Sequence, residues 1–386
     1  MKKTLLVAAI SGTFAMTAHA QSSVTLYGLL DAGLVFSNNQ GGHQNYQQSS
    51  SALTTSVFGL RGNEDLGGGL HAVFRLESGI NVNNGATSNK NSLFGRQSYV
   101  GLSSDKFGAI TLGRQFDSMV DYVSPFAMAG AGDGNNLAAH PFDNDNLSST
   151  FSINNAVKYT SVDYNGLQFG GLYGFSNAAG GFGDNRAYSF GASYKNGPLA
   201  VGAGYMELNN AAGGIAQTNP NGAVSAQDND STFTAQRQRE WGAGANYTFG
   251  AATVGFVWTH TQLDKIGGVN IGGNFFGGIG GADLHLDNYE INGRYALTPM
   301  LSLAGAYTYT DGHYQGATSA HPKYQQGTLE ADYSLSKRTD VYVEGVYQHA
   351  NGGAPGTVFA NASINTLSPS STDNQVAATV GLRHRF

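Results

Sequence analysis

Apolar and polar residues alternate with a period of two along most of this chain, in runs bounded by clusters of Gly, Asn, Asp and Ser. Period two is the mark of a strand, whose successive side chains point to opposite faces. Between 69 and 81, Leu70, Ala72, Phe74 and Leu76 share one face, while His71, Arg75 and Glu77 share the other. Between 251 and 262, Val254, Phe256 and Trp258 lie opposite Thr253 and Thr259. The final run sets Val376, Ala378, Val380, Leu382 and Phe386 against Thr379, Arg383 and Arg385. Sixteen such runs are predicted strands, of which the first eight are 24–36, 53–63, 69–81, 93–103, 108–115, 153–164, 167–176 and 186–195. The second eight are 199–209, 237–249, 251–262, 286–297, 300–311, 323–335, 339–349 and 375–386. Most reach the roughly 9–11 residues that a tilted strand needs to cross a bilayer core.

A soluble sandwich would alternate in the same way, so the connections decide between the two. Long ones, at 37–52, 82–92, 116–152, 177–185, 210–236, 263–285, 312–322 and 350–374, take turns with short ones such as Asn165–Gly166, Asn196–Pro198 and Thr298–Pro299. Outer-membrane barrels segregate short periplasmic turns from long extracellular loops; a sandwich has no reason to. The chain therefore reads as all-β, a transmembrane 16-stranded antiparallel up-and-down β-barrel. An even strand count closes the sheet without an edge that hydrocarbon would not tolerate. At this width side chains cannot fill the lumen, and water occupies it. The glycine-rich connections 210–236 and 263–285 read as surface excursions.

Lys2 and Lys3, the apolar stretch from Leu5 to Met16 and Ala18-His19-Ala20 predict a cleaved signal peptide over 1–20, leaving one barrel domain over 21–386. Glycine is 55 of 386 residues and charged residues are only 12%, about half the ~25% usual in a soluble domain. Twenty tyrosines suit a membrane–water interface. A net charge of −6, more negative once the leader is gone, argues against a nucleic-acid partner. The absence of cysteine excludes a thiol nucleophile and a disulfide framework.

Candidate chemistry is sparse. Gly130 to Gly134 echoes a phosphate loop without its lysine or helix. Asp143-Asn144-Asp145-Asn146 begins like a calcium loop, but glycine at the sixth position and a carboxylate at the twelfth are missing. The ten histidines form no ligand spacing, and His260 and His384 suit the interfacial girdles. No metal or cofactor is expected. A membrane hydrolase would need Ser, His and Asn or Asp converging on the outer wall, and no persuasive set is present, so the chain does not read as an enzyme. An adhesin or structural anchor would need a plugged barrel.

Five segments, in order, carry a family resemblance. They are Ser22 to Gly28 with Asp31-Ala32-Gly33; Phe58 to Leu70; Phe94-Gly95-Arg96-Gln97-Ser98-Tyr99-Val100-Gly101-Leu102; Phe107-Gly108 through Leu112-Gly113-Arg114-Gln115; and Val380 to Phe386. Together they resemble the general porins of Gram-negative bacteria, especially the beta-proteobacterial branch. The resemblance implies an outer-membrane general diffusion porin, a homotrimer that passes small hydrophilic solutes and ions. A channel specific for sugars or carboxylates is the alternative. It also implies that the terminal Phe386 is read by the barrel-insertion machinery, and that the third long loop, 116–152, folds inward as the constriction. In such an eyelet basic wall residues face acidic loop residues. Parity puts Arg61, Arg75, Arg96 and Lys158 on the lumen side, and the loop offers Asp117, Asp121 and Asp133, with Asp143 and Asp145 as weaker candidates. Val57 stands where many relatives carry a basic residue. The trimer contact implied by the resemblance involves the first strands and the last.

Overall fold

Sixteen antiparallel strands form one closed wall in the computed structural model, which describes residues 23–89, 92–131, 136–210, 222–224, 233–271 and 274–386. The predicted leader lies outside the described residues. In chain order the first eight strands are β1 (Ser23–Gln40), β2 (Val57–Gly67), β3 (Leu70–Gly79), β4 (Gln97–Ser104), β5 (Gly108–Gln115), β6 (Ile153–Thr160), β7 (Leu167–Gly174) and β8 (Asp184–Asn196). They continue as β9 (Leu199–Asn210), β10 (Arg237–Phe249), β11 (Ala252–Ile271), β12 (Asn274–Ala296), β13 (Leu301–Gln315), β14 (Lys323–Ser334), β15 (Thr339–Asn351) and β16 (Asn374–Arg385). Each pairs with its neighbours in sequence, and β1 closes the ring on β16 from Leu29↔Arg385 to Ser37↔Ala377. Phe386 completes the seam by exchanging backbone hydrogen bonds of 3.1 and 3.0 Å with Gly28.

The alternation is realised as the solvent on each side demands. Leu26, Val100, Phe190, Phe256, Leu329 and Val380 are exposed on the outer wall, while Thr259, Thr308 and Gln348 are buried on the inner one. Turns are as tight as the sequence suggests. Gly67, Gly68 and Gly69 all take positive φ between β2 and β3, a conformation that only glycine adopts without cost.

Several elements differ from the expected boundaries. The lower half of β1 pairs with β2, but from Ala32 upward it pairs with a loop strand, His43–Ser50. The chain then leaves the wall, burying Ala52 and Leu53 inside, so β2 begins at Val57 rather than at 53. The stretch 263–285 is not a surface excursion. β11 and β12 continue through it as one tall hairpin, paired from Ala252↔Tyr295 to Ile271↔Asn274. Glycines interrupt its alternation, yet Ile266, Val269, Ile271, Ile279 and Leu284 are buried, which contributes about 1.5–3 kcal/mol for each fully covered side chain. Their cluster includes Phe142, whose ring meets Phe233, Tyr324 and Phe359 edge-on at 6.3, 5.6 and 5.5 Å.

Loop 116–152 is folded into the lumen. Its helix α1 (Ser118–Tyr122) lies against inward-facing glycines of β8 and β9, and the following turn lies against β10. A Cβ on Gly191 would sit 2.6 Å from Tyr122 Cδ2, one on Gly202 2.2 Å from the Tyr122 carbonyl, and one on Gly244 2.5 Å from Phe126 Cβ. Part of the glycine excess is thus a berth for the loop. Gly202→Val is expected to push α1 off the wall and toward the passage, lowering single-channel conductance; an unchanged conductance would show that the berth does not set the loop's position.

Farther along, the loop is fixed to β12 and β14. The Met128 amide donates to Glu290 of β12 at 2.7 Å, and Gln326 of β14 donates to the carbonyls of Ala138 and Ala139 at 3.1 and 3.2 Å. Along β2 and β3 the inward surface stays accessible, and Arg61 and Asn63 are exposed there.

Candidate functional site

Inward parity on adjacent strands brings Tyr27 of β1, Arg61 of β2, Arg75 and Glu77 of β3, and Tyr99 of β4 into one patch. Arg61 and Arg75 are directly opposed across the β2–β3 ladder, an arrangement that like charges disfavour. Two neighbours offset the repulsion. The guanidiniums of Arg61 and Arg75 lie 5.4 and 5.3 Å from the centre of the Tyr27 ring, within cation–π range. Glu77 accepts from Arg75 Nη2 at 2.5 Å and Arg96 Nε at 3.1 Å, and from the Tyr27 hydroxyl at 2.8 Å. That hydroxyl in turn accepts from Arg75 Nε at 2.7 Å.

Arg96 reaches the patch by a different route from the one parity suggests. β4 starts at Gln97, which faces inward, so strict alternation would turn Arg96 outward. It lies just before the strand, and the bend there carries its side chain inside. Its Nη2 donates to Ser149 Oγ at 3.1 Å and its guanidinium lies 5.1 Å from the centre of the Phe116 ring. Arg96 thus joins the basic wall to the loop. Three guanidiniums against the single carboxylate of Glu77 leave the patch positive.

The expected acidic side is arranged otherwise. Asp117 is fully buried and caps α1, accepting from the amides of Met119 and Val120 at 2.7 and 3.3 Å and from Asn146 Nδ2 at 2.7 Å. Burial pushes its carboxyl up to about 6. Asp121 is paired with Lys158 of β6, whose ammonium also donates to the Phe116 carbonyl at 2.9 Å. These two residues pin the start of the loop to the wall. Asp133 lies outside the described residues. Asp143 is buried under bonds from Ser148 N, Thr150 N and Thr150 Oγ1 at 2.9, 3.3 and 2.6 Å. Asp145, also buried, accepts from Thr259 Oγ1 at 2.5 Å and contacts His140 Nδ1 at 2.6 Å. The other ring nitrogen of His140 meets Glu290 Oε2 at 3.1 Å. The Ser149 hydroxyl, rather than a described loop carboxylate, therefore meets the arginine patch.

Sequence reasoning overlooked Tyr27, Glu77 and Tyr99 as members of the site. Parity had already set Glu77 beside Arg75, so the signal was present; only the neighbouring strands show that they meet. The His140–Glu290 link spans 150 positions and leaves no local trace. Val57 pairs with Gly79 and adds no charge to the patch.

The family described as Gram-negative porin matches residues 4–353. An outer membrane porin protein of Bordetella pertussis is 32% identical over 422 residues, covering 100% of both chains. Among solved structures, an anion-selective porin from Comamonas acidovorans superposes with a TM-score of 0.71 at 25% identity, covering 95% of this chain and 100% of that one. The outer membrane protein OmpT of Vibrio cholerae, in its trimer form, gives a TM-score of 0.64 at 16% identity, covering 95% and 99%, a likeness of fold.

Proposed function

The chain belongs to the Gram-negative porin family, and we propose that its channel is a general-diffusion pore that favours small anions. As an outer-membrane diffusion porin it is a channel rather than an enzyme; what its constriction selects is the proposal. The observation that carries it is the trio of exposed Arg61, part-exposed Arg75 and largely buried Arg96 on the wall, set against described loop carboxylates that are buried or, for Asp121, paired with Lys158. Fixed charge along a narrow passage with low-dielectric walls focuses the field and raises the local concentration of counter-ions. Transit needs no tight binding, because a site that holds an ion firmly would slow its exit. The Comamonas acidovorans protein, described as anion-selective, supports this reading.

We further infer a homotrimer. Val24, Leu26 and Leu34 of β1, Val100 and Leu102 of β4, Ile110 and Leu112 of β5, and Val380 and Leu382 of β16 give the early and late strands a continuous exposed apolar surface suited to a second copy as well as to lipid. The trimer form of OmpT supports the same arrangement. In a planar bilayer under a potassium chloride gradient, conductance is expected in groups of three equal steps with a reversal potential on the chloride side. A potassium-side reversal would overturn the anion preference, and isolated single steps would overturn the trimer.

A further inference from the structure

We propose that the mouth above the constriction is a weak binding site for small polyhydroxylated anions, such as sugar acids or sugar phosphates; this rests on the anion preference and adds a ligand class to it. Beside Arg96 lies a cavity of about 660 Å³, within the size range of small-molecule sites. Its wall is assembled from well-separated stretches: the bend before β2, the connection 80–89, loop 116–152, the end of β11 at Asn270 and Ile271, and the connection 350–374. Serine, threonine and asparagine supply most of the lining. Arg96 is the one charged side chain among the described lining residues, although the chain as a whole carries more acidic than basic groups. That no described carboxylate lines this mouth therefore does not follow from composition.

The chemistry follows from what these groups can exchange. Hydroxyls and amides both donate and accept, as do the hydroxyls of a polyol, so each can replace a water of the ligand one for one. A guanidinium offers five donors, and the bonds of Arg96 to Glu77 and Ser149 account for two of them. Arg96 is thus placed to take a carboxylate or phosphate while the ligand's hydroxyls meet the rim. The rim is held in place: Ser149 is engaged by Arg96, Thr150 by Asp143, and Asn365 donates to the Asn136 carbonyl at 2.9 Å. Preorganised polar groups lose less on binding than mobile ones. Phe142 supplies the lining's single aromatic ring among the described residues, so no pair of stacking platforms reinforces the site and exchange stays fast.

The test is ion-current blockade in the intact channel by gluconate, hexanoate and sorbitol, which match in chain length and separate charge from hydroxyls. Gluconate is expected to interrupt the current at a concentration about tenfold lower than either of the others, and Arg96→Gln is expected to abolish that advantage. Equal blockade by gluconate and hexanoate, with a chloride-side reversal potential, would overturn the site and leave the anion preference standing. A potassium-side reversal potential would overturn both.

Discussion

Replacing Arg61, Arg75 and Arg96 by glutamine, together with Glu77→Gln, is expected to move the reversal potential from the chloride side to the potassium side. The fourth substitution matters physically. Glu77 is 4% exposed and its charge is balanced by Arg75 and Arg96. Stripping those partners alone would leave an uncompensated buried carboxylate, an error worth about 3–5 kcal/mol. With all four neutral, the patch keeps hydrogen-bonding amides, shorter than the arginines they replace, and loses its excess positive charge. The remaining field is then that of a chain whose formal net charge, −6 before the change, has become about two units more negative. Single replacements should act in graded order. Arg61→Gln, which removes an exposed cation with a ring contact and no partner on Glu77, should shift selectivity while disturbing the wall least. Raising salt should shrink every one of these differences, because the Debye length falls from about 10 Å at 0.1 M to about 3 Å at 1 M. A quadruple variant that folds, conducts and keeps the wild-type reversal potential would remove the basic wall as the source of selectivity.

His140→Ala is expected to release the far end of loop 116–152 while leaving the barrel closed. His140 is 2% exposed, and Asp145 and Glu290 on either side of it are both 0%. Without the imidazolium two buried carboxylates lose their counter-charge, again on the order of 3–5 kcal/mol. The sheet is unaffected, because its ladder hydrogen bonds run strand to strand. The expected readout is a noisy open-channel current and protease cleavage within the loop. The triple variant His140→Ala, Asp145→Asn, Glu290→Gln should be quieter than His140→Ala alone, since it removes the charges that the single change strands. Equal noise in the two would argue against an electrostatic clamp.

Proton linkage gives the clamp a pH window. Burial alone would lower the His140 pKa, but the carboxylates of Asp145 and Glu290 raise it to about 10. A folded-state pKa above the unfolded value of about 6.5 means that the stabilisation is fully present below that value. It is lost as pH rises through about 10. Current noise should therefore stay low at neutral pH and grow above pH 10.

The wall of this protein was readable from local sequence. Alternation in β3, β11 and β16, the rhythm of long and short connections, and the lumen-side parity of Arg61, Arg75 and Lys158 all follow from lipid on one face and water on the other. That constraint acts on every second residue and needs no distant partner. The tall β11–β12 hairpin escaped because its signal is burial under loops from elsewhere in the chain, and glycine hides the period. The berth glycines at 191, 202 and 244 look in sequence like any others. The partners of the loop carboxylates decided most. Asp145 meets Thr259 across 114 positions and His140 meets Glu290 across 150, so only the closed barrel brings them within bonding distance. Sequence by itself determined the barrel and its strand order. The tertiary structure alone decided that the described carboxylates of loop 116–152 serve to anchor it, because a charge is committed by whatever neighbour the fold delivers, and that neighbour is set by non-local packing.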